Sequence, residues 1–236
     1  MQRFYLSADL FKSDYINVVD REFCHQLKKV LRVQLGDRFG LFNGDGFEYI
    51  GQLVEVDDKQ AVFLLIDKQF AKPDPEVDLT MYIGLLKADK FELVLQKCAE
   101  LGVKRVVPVI TERCIVRSIS EQKLKRYQEI IKEAAEQCGA NKLLELAPEV
   151  DLNFVLKNSA EKNKFFAWEE ATDLSLAKEL KNISGSVAIL IGPEGGLSKN
   201  EAESAKKAKW QIVSLGRRIL RAETAVLAVA SVVMIK

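Results

Sequence analysis

The alternation of strand-like and helix-like segments from residue 79 onwards is the feature that most constrains the fold. Val187 to Ile191 is a short, unbroken apolar run typical of a buried strand. Ser198 and Glu201 have the spacing of a capping box, which predicts a helix from about Leu197. Because strands joined by helices usually pair in parallel, this region is predicted to be an α/β domain with a mainly parallel sheet. The same patterns predict further strands at 79–85, 105–110, 164–168 and 211–215, and helices at 90–101, 121–138, 174–180, 197–209 and 224–236.

The first seventy residues have a different pattern, with short alternating runs separated by turn signals. Asn-Gly and Asp-Gly pairs at 43–46 indicate a hairpin. Strands are predicted at 38–42, 47–56 and 61–66, and one helix at about 21–31. We therefore expect a small, mostly β barrel over residues 1–72. Pro73 and Pro75, in the charged segment 70–76, indicate an extended linker to a second domain of residues 73–236.

Composition excludes several classes of protein. With 35 basic and 34 acidic residues the net charge is +1, so a site for a polyanion must be a local patch. The longest apolar run, 225–235, is shorter than the roughly 20 residues that span a bilayer. The N-terminal segment lacks the apolar core of a signal peptide. The four cysteines have no CxxC spacing, so we expect no disulfide framework and no metal site, but thiols of a cytoplasmic protein.

Two loops fall where an α/β domain places its ligands, beyond the carboxyl ends of strands. One is Gly192-Pro193-Glu194-Gly195-Gly196 and the other is the segment 214–221. The first loop has neither the Gly-Lys-Ser/Thr of a Walker loop nor the GxGxxG fingerprint. Glu194 disfavours a phosphate, so a neutral or cationic nucleoside-like ligand fits better. The alternative is that the glycines only form a tight turn between strand and helix.

The segments Ile191 to Ser198 (IGPEGGLS) and Leu215 to Ala225 (LGRRILRAETA), in this order, resemble the signature pair of the RsmE family. This family comprises small-subunit (16S) ribosomal RNA methyltransferases of the SPOUT superfamily, which methylate the N3 nitrogen of a uridine. The resemblance covers nearly the whole chain, although Arg217 stands where related sequences often carry proline. Other segments also match the family in order and spacing. They are His25 with residues 30–32 and 36–37, and residues 96–103, 111–113 and 136–139.

The resemblance implies an N-terminal PUA-like β-barrel that binds RNA, followed by a SPOUT-type α/β domain with a C-terminal trefoil knot. It also implies a homodimer. The last helix is apolar nearly all round from 225 to 235, which agrees with a dimer contact but equally with burial inside one subunit. The loops of such a knot bind S-adenosylmethionine. The implied cofactor residues are Leu190, Gly192, Glu194, Gly195, Gly196, Ser214, Leu215, Gly216, Ile219 and Leu220.

Methylation of uracil N3 requires the loss of its proton, which spreads negative charge onto two carbonyl oxygens. The enzyme therefore needs a proton acceptor and a cation directed at those oxygens. Arg221 is the best-placed cation by sequence, and Glu194 and Glu223 are the carboxylates near the loops. Glu223 has an alternative role, as a first-turn carboxylate facing its helix dipole, so the base stays open. His25, the only histidine, lies in the other domain and is predicted to contact RNA or solvent.

Local basic patches are predicted to bind the phosphates of ribosomal RNA, either free or within the assembled subunit. Between 204 and 222 there are six basic residues and no acidic one, although Lys206, Lys207 and Lys209 are better interpreted as a solvated face. The candidate RNA-binding residues are Arg3, His25, Lys28, Lys29, Arg32, Arg113, Arg217 and Arg218. Two other functions stay open: an RNA-binding module without catalysis, and a SPOUT enzyme that methylates another base or a ribose.

Overall fold

The computed structural model describes residues 1–71, 77–172, 174–180 and 183–235. Most of the predicted proline-containing linker, residues 72–76, lies outside the described residues. By contacts the chain divides into two compact units. Unit 1 is Met1–Asp74 with Ala135–Leu143, and unit 2 is Pro75–Ala134 with Leu144–Lys236.

Unit 1 is built on a five-stranded sheet in the order β1-β3-β4-β5-β2. The β1–β3 pair is parallel and the other pairs are antiparallel. The predictions for β3 and β4 are confirmed, and β5 extends four residues beyond its predicted end at Ile66. Strands β1 and β2 were not predicted, because three or four residues are too few to show an alternation. The strands are β1 (Arg3–Tyr5), β2 (Tyr15–Val18), β3 (Arg38–Phe42), β4 (Phe47–Val56) and β5 (Ala61–Phe70).

The predicted helix of unit 1 exists but changes its winding. Helix α1 (Arg21–His25) begins at Asp20, whose carboxylate accepts hydrogen bonds from the backbone nitrogens of Glu22 and Phe23. A π-helical turn (Gln26–Leu31) follows and ends at Arg32, which has a left-handed backbone with φ of 53°. The aromatic rings of Phe4, Phe23, Phe39 and Phe63 contact one another in the core beneath this helix.

Unit 2 contains a sheet in the order β12-β10-β11-β6-β7-β8, with β9 also paired to β7, and every pairing is parallel. The predicted parallel sheet is therefore confirmed. All five residues of the central β11 are buried, as its unbroken apolar run predicts. The strands are β6 (Leu79–Gly84), β7 (Arg105–Ile110), β8 (Glu145–Leu146), β9 (Val150–Asp151), β10 (Asn163–Ala167), β11 (Val187–Ile191) and β12 (Gln211–Val213).

The described helices of unit 2 were predicted from the sequence, except α4. This helix has only seven residues, about two turns, and it was not predicted. The capping box of α6 is confirmed, because the Ser198 and Glu201 side chains each bond the other's backbone nitrogen. Helix α7 begins two residues before the predicted Thr224 and packs against α2. The helices are α2 (Ala88–Glu100), α3 (Glu121–Cys138), α4 (Leu152–Asn158), α5 (Leu176–Glu179), α6 (Lys199–Lys207) and α7 (Ala222–Met234). Over the described residues, none of these helices has the length and apolar character needed to span a membrane.

The end of α3 and the turn after it belong to unit 1 by their contacts. The backbone nitrogen of Tyr5 donates to Glu136 Oε1 at 2.9 Å. Arg3 Nη2 donates to the carbonyl oxygen of Ala140 at 3.1 Å. Unit 1 is thus completed by a segment that follows its last strand by more than sixty residues.

Candidate functional site

A cavity of about 430 Å³ lies at the carboxyl ends of β10, β11 and β12 in unit 2. Three loops frame it, one after each strand; beyond them Lys90 of α2 and Ala222 and Ala225 of α7 also line it. The predicted loops 192–196 and 214–221 both line the cavity. The third loop, with Trp168 and Glu169, was not predicted. It has no glycine signature, and its charged sequence is typical of a solvated turn.

The loop after β11 combines a turn with close backbone approach. Gly196 has a φ of 72°, and its nitrogen donates to the Pro193 carbonyl at 2.9 Å, which closes the turn. A Cβ atom on Gly196 would overlap the carboxylate of Glu169. A Cβ atom on Gly84, at the end of β6, would lie 2.9 Å from the carbonyl carbon of Gly192. Glycine is therefore needed here both for the turn and for close approach.

Polar contacts fix this loop from three sides. Arg113 Nη1 donates to the carbonyl oxygen of Gly195 at 3.1 Å. Trp168 Nε1 donates to the carbonyl oxygen of Leu197 at 3.2 Å. Glu201, which is buried, also accepts from the backbone nitrogen of Glu112 at 2.8 Å, so the loop after β7 is tied to the start of α6. The cavity wall is therefore held in place by the folded chain itself.

The two predicted carboxylates meet at Lys90, a lysine that was not among the predicted site residues. Lys90 Nζ lies 3.5 Å from Glu194 Oε1 and 3.6 Å from Glu223 Oε2. Glu194 Oε1 also accepts from the backbone nitrogen of Lys87 at 3.3 Å. Glu223 Oε2 is buried and has no hydrogen-bond partner in the described part of the chain. One ammonium thus lies between two carboxylates; Lys90 and Glu194 line the cavity, whereas Glu223 does not, and its Oε2 makes no hydrogen bond to the described residues.

The loop after β12 places three arginines beside the cavity. Arg221 is the residue that precedes the first turn of α7, and it is exposed. Arg217 and Arg218 are exposed on the same loop. Within the described ranges none of the three guanidinium groups makes a hydrogen bond or an ion pair, so they are available to a ligand. Ser214 Oγ accepts from the Gly216 nitrogen at 3.2 Å and orders the start of the loop.

Nine of the ten predicted cofactor residues line the cavity. Leu190 does not, because its side chain is fully buried in the core on one face of the sheet. Ile191, the next residue, lines the cavity instead. The nine are Gly192, Glu194, Gly195, Gly196, Ser214, Leu215, Gly216, Ile219 and Leu220.

The predicted RNA-binding residues of unit 1 have different surroundings. Arg3 is nearly buried, with its Nε 2.9 Å from Glu48 Oε1 and its guanidinium 4.6 Å from the Phe42 ring centroid. It therefore holds the unit together. Lys28 forms an ion pair with Asp58 at 2.5 Å. The remaining residues, His25, Lys29 and Arg32, are exposed along α1 and the turn that follows it.

Metal-binding groups are absent from the described residues, since no three His, Cys, Asp or Glu side chains cluster in a suitable way. None of the four cysteines, all of which are described, forms a disulfide; three are buried and Cys138 is exposed. Lys206, Lys207 and Lys209 are exposed and do not line the cavity.

Comparison with known proteins gives the class. Residues 73–234 match the family model of the RNA methyltransferase domain, and residues 20–66 match that of the RNA methyltransferase PUA domain. Because the first match covers more than half of the chain, the chain is an RNA methyltransferase by class.

Individual relatives define the class more narrowly. The chain is 34% identical over 206 residues to ribosomal RNA small subunit methyltransferase E of Synechocystis sp., covering 85% of this chain and 67% of that protein. The protein of that name from Neisseria gonorrhoeae, solved with S-adenosylmethionine, is similar at 32% identity with a TM-score of 0.87, covering 98% and 95% of the two chains. A methyltransferase from Legionella pneumophila, solved with the bound cofactor SAM, is similar at 30% identity with a TM-score of 0.88. The match covers 98% of this chain and 96% of that chain. The chain belongs to the ribosomal RNA small subunit methyltransferase E family.

Proposed function

We propose that this protein transfers a methyl group from S-adenosylmethionine to the N3 nitrogen of a uridine in small-subunit (16S) ribosomal RNA. The observation that carries the proposal is the cavity at the carboxyl ends of β10, β11 and β12, framed by glycine backbone and carboxylates. Two similar structures contain this cofactor, and the family name gives the RNA substrate. The cytoplasm, where ribosomal RNA is modified, is the expected location.

The cavity residues suit S-adenosylmethionine in shape and charge. Trp168 and Ile191 offer apolar surface for an adenine ring, and the glycine backbone of 192–196 offers amide and carbonyl groups without steric hindrance. Glu169 offers an acceptor for ribose hydroxyl or ammonium groups. The cofactor has no phosphate, which agrees with the acidic residue in the loop. When bound, it supplies a methyl group already activated on a sulfonium centre.

Arg221 stabilises the deprotonated uracil. Its guanidinium is exposed at the cavity and can donate two parallel hydrogen bonds to the carbonyl oxygen that gains charge. Glu223 lies outside the residues that line the cavity, and its buried Oε2 is 3.6 Å from Lys90 Nζ, so it holds this lysine in place rather than accepting the N3 proton. Glu194 already accepts a bond from Lys87, and so it serves to hold the loop.

RNA binding is divided between the two units. His25, Lys28, Lys29 and Arg32 lie on the segment of unit 1 that matches the PUA domain model, and all are at least partly exposed. Arg217 and Arg218 contact phosphates near the target nucleotide. Arg113 and Arg3 support the structure, since both are engaged by the chain itself.

A homodimer and a trefoil knot complete the proposal. The outward face of α7 carries Thr224, Ala228 and Val232, all exposed and none charged. Such a face on an otherwise buried helix suits contact with a second copy. The close approach of Gly84 to the loop after β11 supports a knot, because tightly threaded backbone leaves no room for a side chain.

The test uses small ribosomal subunits from a strain that lacks this modification. The purified protein and S-adenosylmethionine are added, and the RNA is digested to nucleosides for mass spectrometry. The expected product is 3-methyluridine. A 2′-O-methyl nucleoside or another methylated base would assign a different SPOUT activity. No methylated nucleoside, together with no S-adenosylmethionine binding in calorimetry, would leave only an RNA-binding module and overturn the proposal.

A further inference from the structure

An arrangement of aromatic rings and a lysine lies at the end of the β4–β5 hairpin, outside the residues assigned above. The strand register places Phe47 opposite Phe70 and Tyr49 opposite Lys68. Because side chains alternate along a strand, all four point to the same face of the sheet. We call Phe47, Tyr49, Lys68 and Phe70 the hairpin ladder.

The hairpin ladder runs from the core to solvent. Tyr49 is 8% exposed and packs in the core of unit 1, whereas Phe70 is 87% exposed. The rings of Phe47 and Phe70 have centroids 4.9 Å apart and planes tilted by 33°. Lys68 Nζ lies 3.8 Å from the Phe47 centroid and 4.9 Å from that of Tyr49. An exposed ring is therefore backed by a second ring and flanked by a cation.

The base of the ladder is held rigidly. Asp45 Oδ1 accepts from the backbone nitrogen of Phe47 at 2.9 Å, and its Oδ2 accepts from the Tyr49 hydroxyl at 2.6 Å. Burial, followed by this bond to Asp45, raises the pKa of Tyr49, so its hydroxyl stays a donor at neutral pH. The ring of Phe11 contacts Tyr49 with centroids 4.8 Å apart. A surface fixed in this way loses little conformational freedom when a ligand binds.

The chemistry of the ladder suits an unpaired nucleotide. Bases without a partner stack on aromatic side chains, and a neighbouring lysine neutralises the phosphate. An apolar protein partner would instead favour a continuous apolar patch, whereas here a cation interrupts the rings. Asp67, the nearest acidic residue along β5, uses its carboxylate on Gln69 and on the backbone nitrogen of Lys68.

We infer that the hairpin ladder binds an unpaired base of the RNA substrate, with Phe70 stacked on the base and Lys68 near its phosphate. This inference rests on the proposed function, because it takes ribosomal RNA as the substrate. The ladder then fixes the register of the RNA on unit 1 and takes no part in the chemical step.

The test compares full-length variants in methyl transfer to small ribosomal subunits that lack the modification. Phe70→Leu keeps apolar bulk but removes the ring face, so KM for the subunits should rise about tenfold to a hundredfold, with kcat and cofactor affinity unchanged. Phe70→Trp should restore the wild-type KM. Lys68→Gln should lower the slope of log affinity against log salt by about one.

The matched control is Tyr15→Leu. Tyr15 is 57% exposed on β2, and it points away from the core because its neighbour Ile16 is buried. This variant removes an exposed ring from the other face of the same sheet, and KM should not change. An equal rise in KM for Tyr15→Leu and Phe70→Leu would show general destabilisation and overturn the inference.

Two further outcomes also count against it. An unchanged KM in Phe70→Leu, with active wild-type protein, would show that no base stacks there. A change in sedimentation of Phe70→Leu without RNA would show that the ladder is a protein contact. If the wild-type protein methylates nothing, the proposed function fails instead. Direct filter binding of the same subunits by wild type and Phe70→Leu then decides the role of the ladder separately.

Discussion

Lys90 stands between the carboxylates of Glu194, on the loop after β11, and Glu223, in the first turn of α7. Each of the three side chains is less than a third exposed, so their charges are only partly screened by water. Nothing in the sequence around Lys90 distinguishes it from other helical lysines. Its role becomes visible only when the folded chain brings these segments together.

Replacement of this lysine should disturb both stability and catalysis. Lys90→Ala should lower the free energy of unfolding by about 1–3 kcal/mol, because two carboxylates lose their shared cation. It should also slow methyl transfer, since Glu194 at the cavity wall loses its ion-pair partner. The control is Lys97→Ala on the same helix. Lys97 Nζ lies 2.7 Å from Glu100 Oε1, and neither residue of this ion pair lines the cavity. Denaturant unfolding and single-turnover rates measure both effects. Equal effects of the two variants would contradict the role of Lys90.

The expected effect of Arg221 follows from where negative charge develops. Its guanidinium interacts more strongly with deprotonated uracil than with the neutral base, so it should act on rate more than on affinity. Arg221→Ala should slow methyl transfer about a hundredfold to a thousandfold while cofactor binding is kept. Arg221→Lys should recover only part of the rate, because an ammonium lacks the planar pair of donors. The comparison is Arg218→Ala, which should raise KM and leave kcat unchanged. A loss of RNA affinity alone in Arg221→Ala would make it a phosphate contact.

At the scale of elements, the sequence predicts what depends on local pattern. The buried run of β11, the spacing of apolar residues in α2 and the capping box of α6 are local signals, and all three elements are confirmed. The cavity loops after β11 and β12 were predicted because glycine and arginine patterns mark them. The loop after β10 was not, because Trp168 and Glu169 gain their place from the strand order, which brings β10 between β11 and β12. Strand order depends on long-range pairing, and no local pattern contains it.

The loop after β11 is tested with a pair of glycines. Gly196→Ala should weaken S-adenosylmethionine binding about tenfold, because a Cβ atom there pushes the Glu169 carboxylate, the acceptor proposed for the cofactor, out of its place at the cavity. Gly185→Ala is the control, since Gly185 also has a positive φ, of 80°, but faces open space apart from one atom at 3.9 Å. Both variants should lose about 1 kcal/mol of unfolding free energy from backbone strain. Calorimetric titration separates them, and normal cofactor affinity in folded Gly196→Ala would leave the glycine with a turn role only.

At the scale of the whole molecule, α7 connects the cavity to the proposed dimer. Its first residues line the cavity, and its outward face presents Ala228 and Val232 to solvent. Ala228→Arg places a charge in the middle of this face, so it should dissociate the homodimer in analytical ultracentrifugation. If the second subunit contributes to the cofactor cavity, S-adenosylmethionine affinity should fall when the dimer dissociates. Leu93→Arg on α2, where the leucine is 40% exposed, serves as the control and should leave the mass unchanged. A monomeric wild-type protein would rule out this part of the proposal.

The segment that completes unit 1 has a consequence for the order of folding during synthesis. Tyr5 and Arg3 find their partners Glu136 and Ala140 across separations of 131 and 137 residues. The first seventy residues therefore leave the ribosome before the chain that covers their edge has been made. Bringing such distant segments together costs loop entropy and slows folding. The first unit to emerge is thus expected to be among the last to reach its final protection against hydrogen exchange, because it waits for residues that translation delivers with the second.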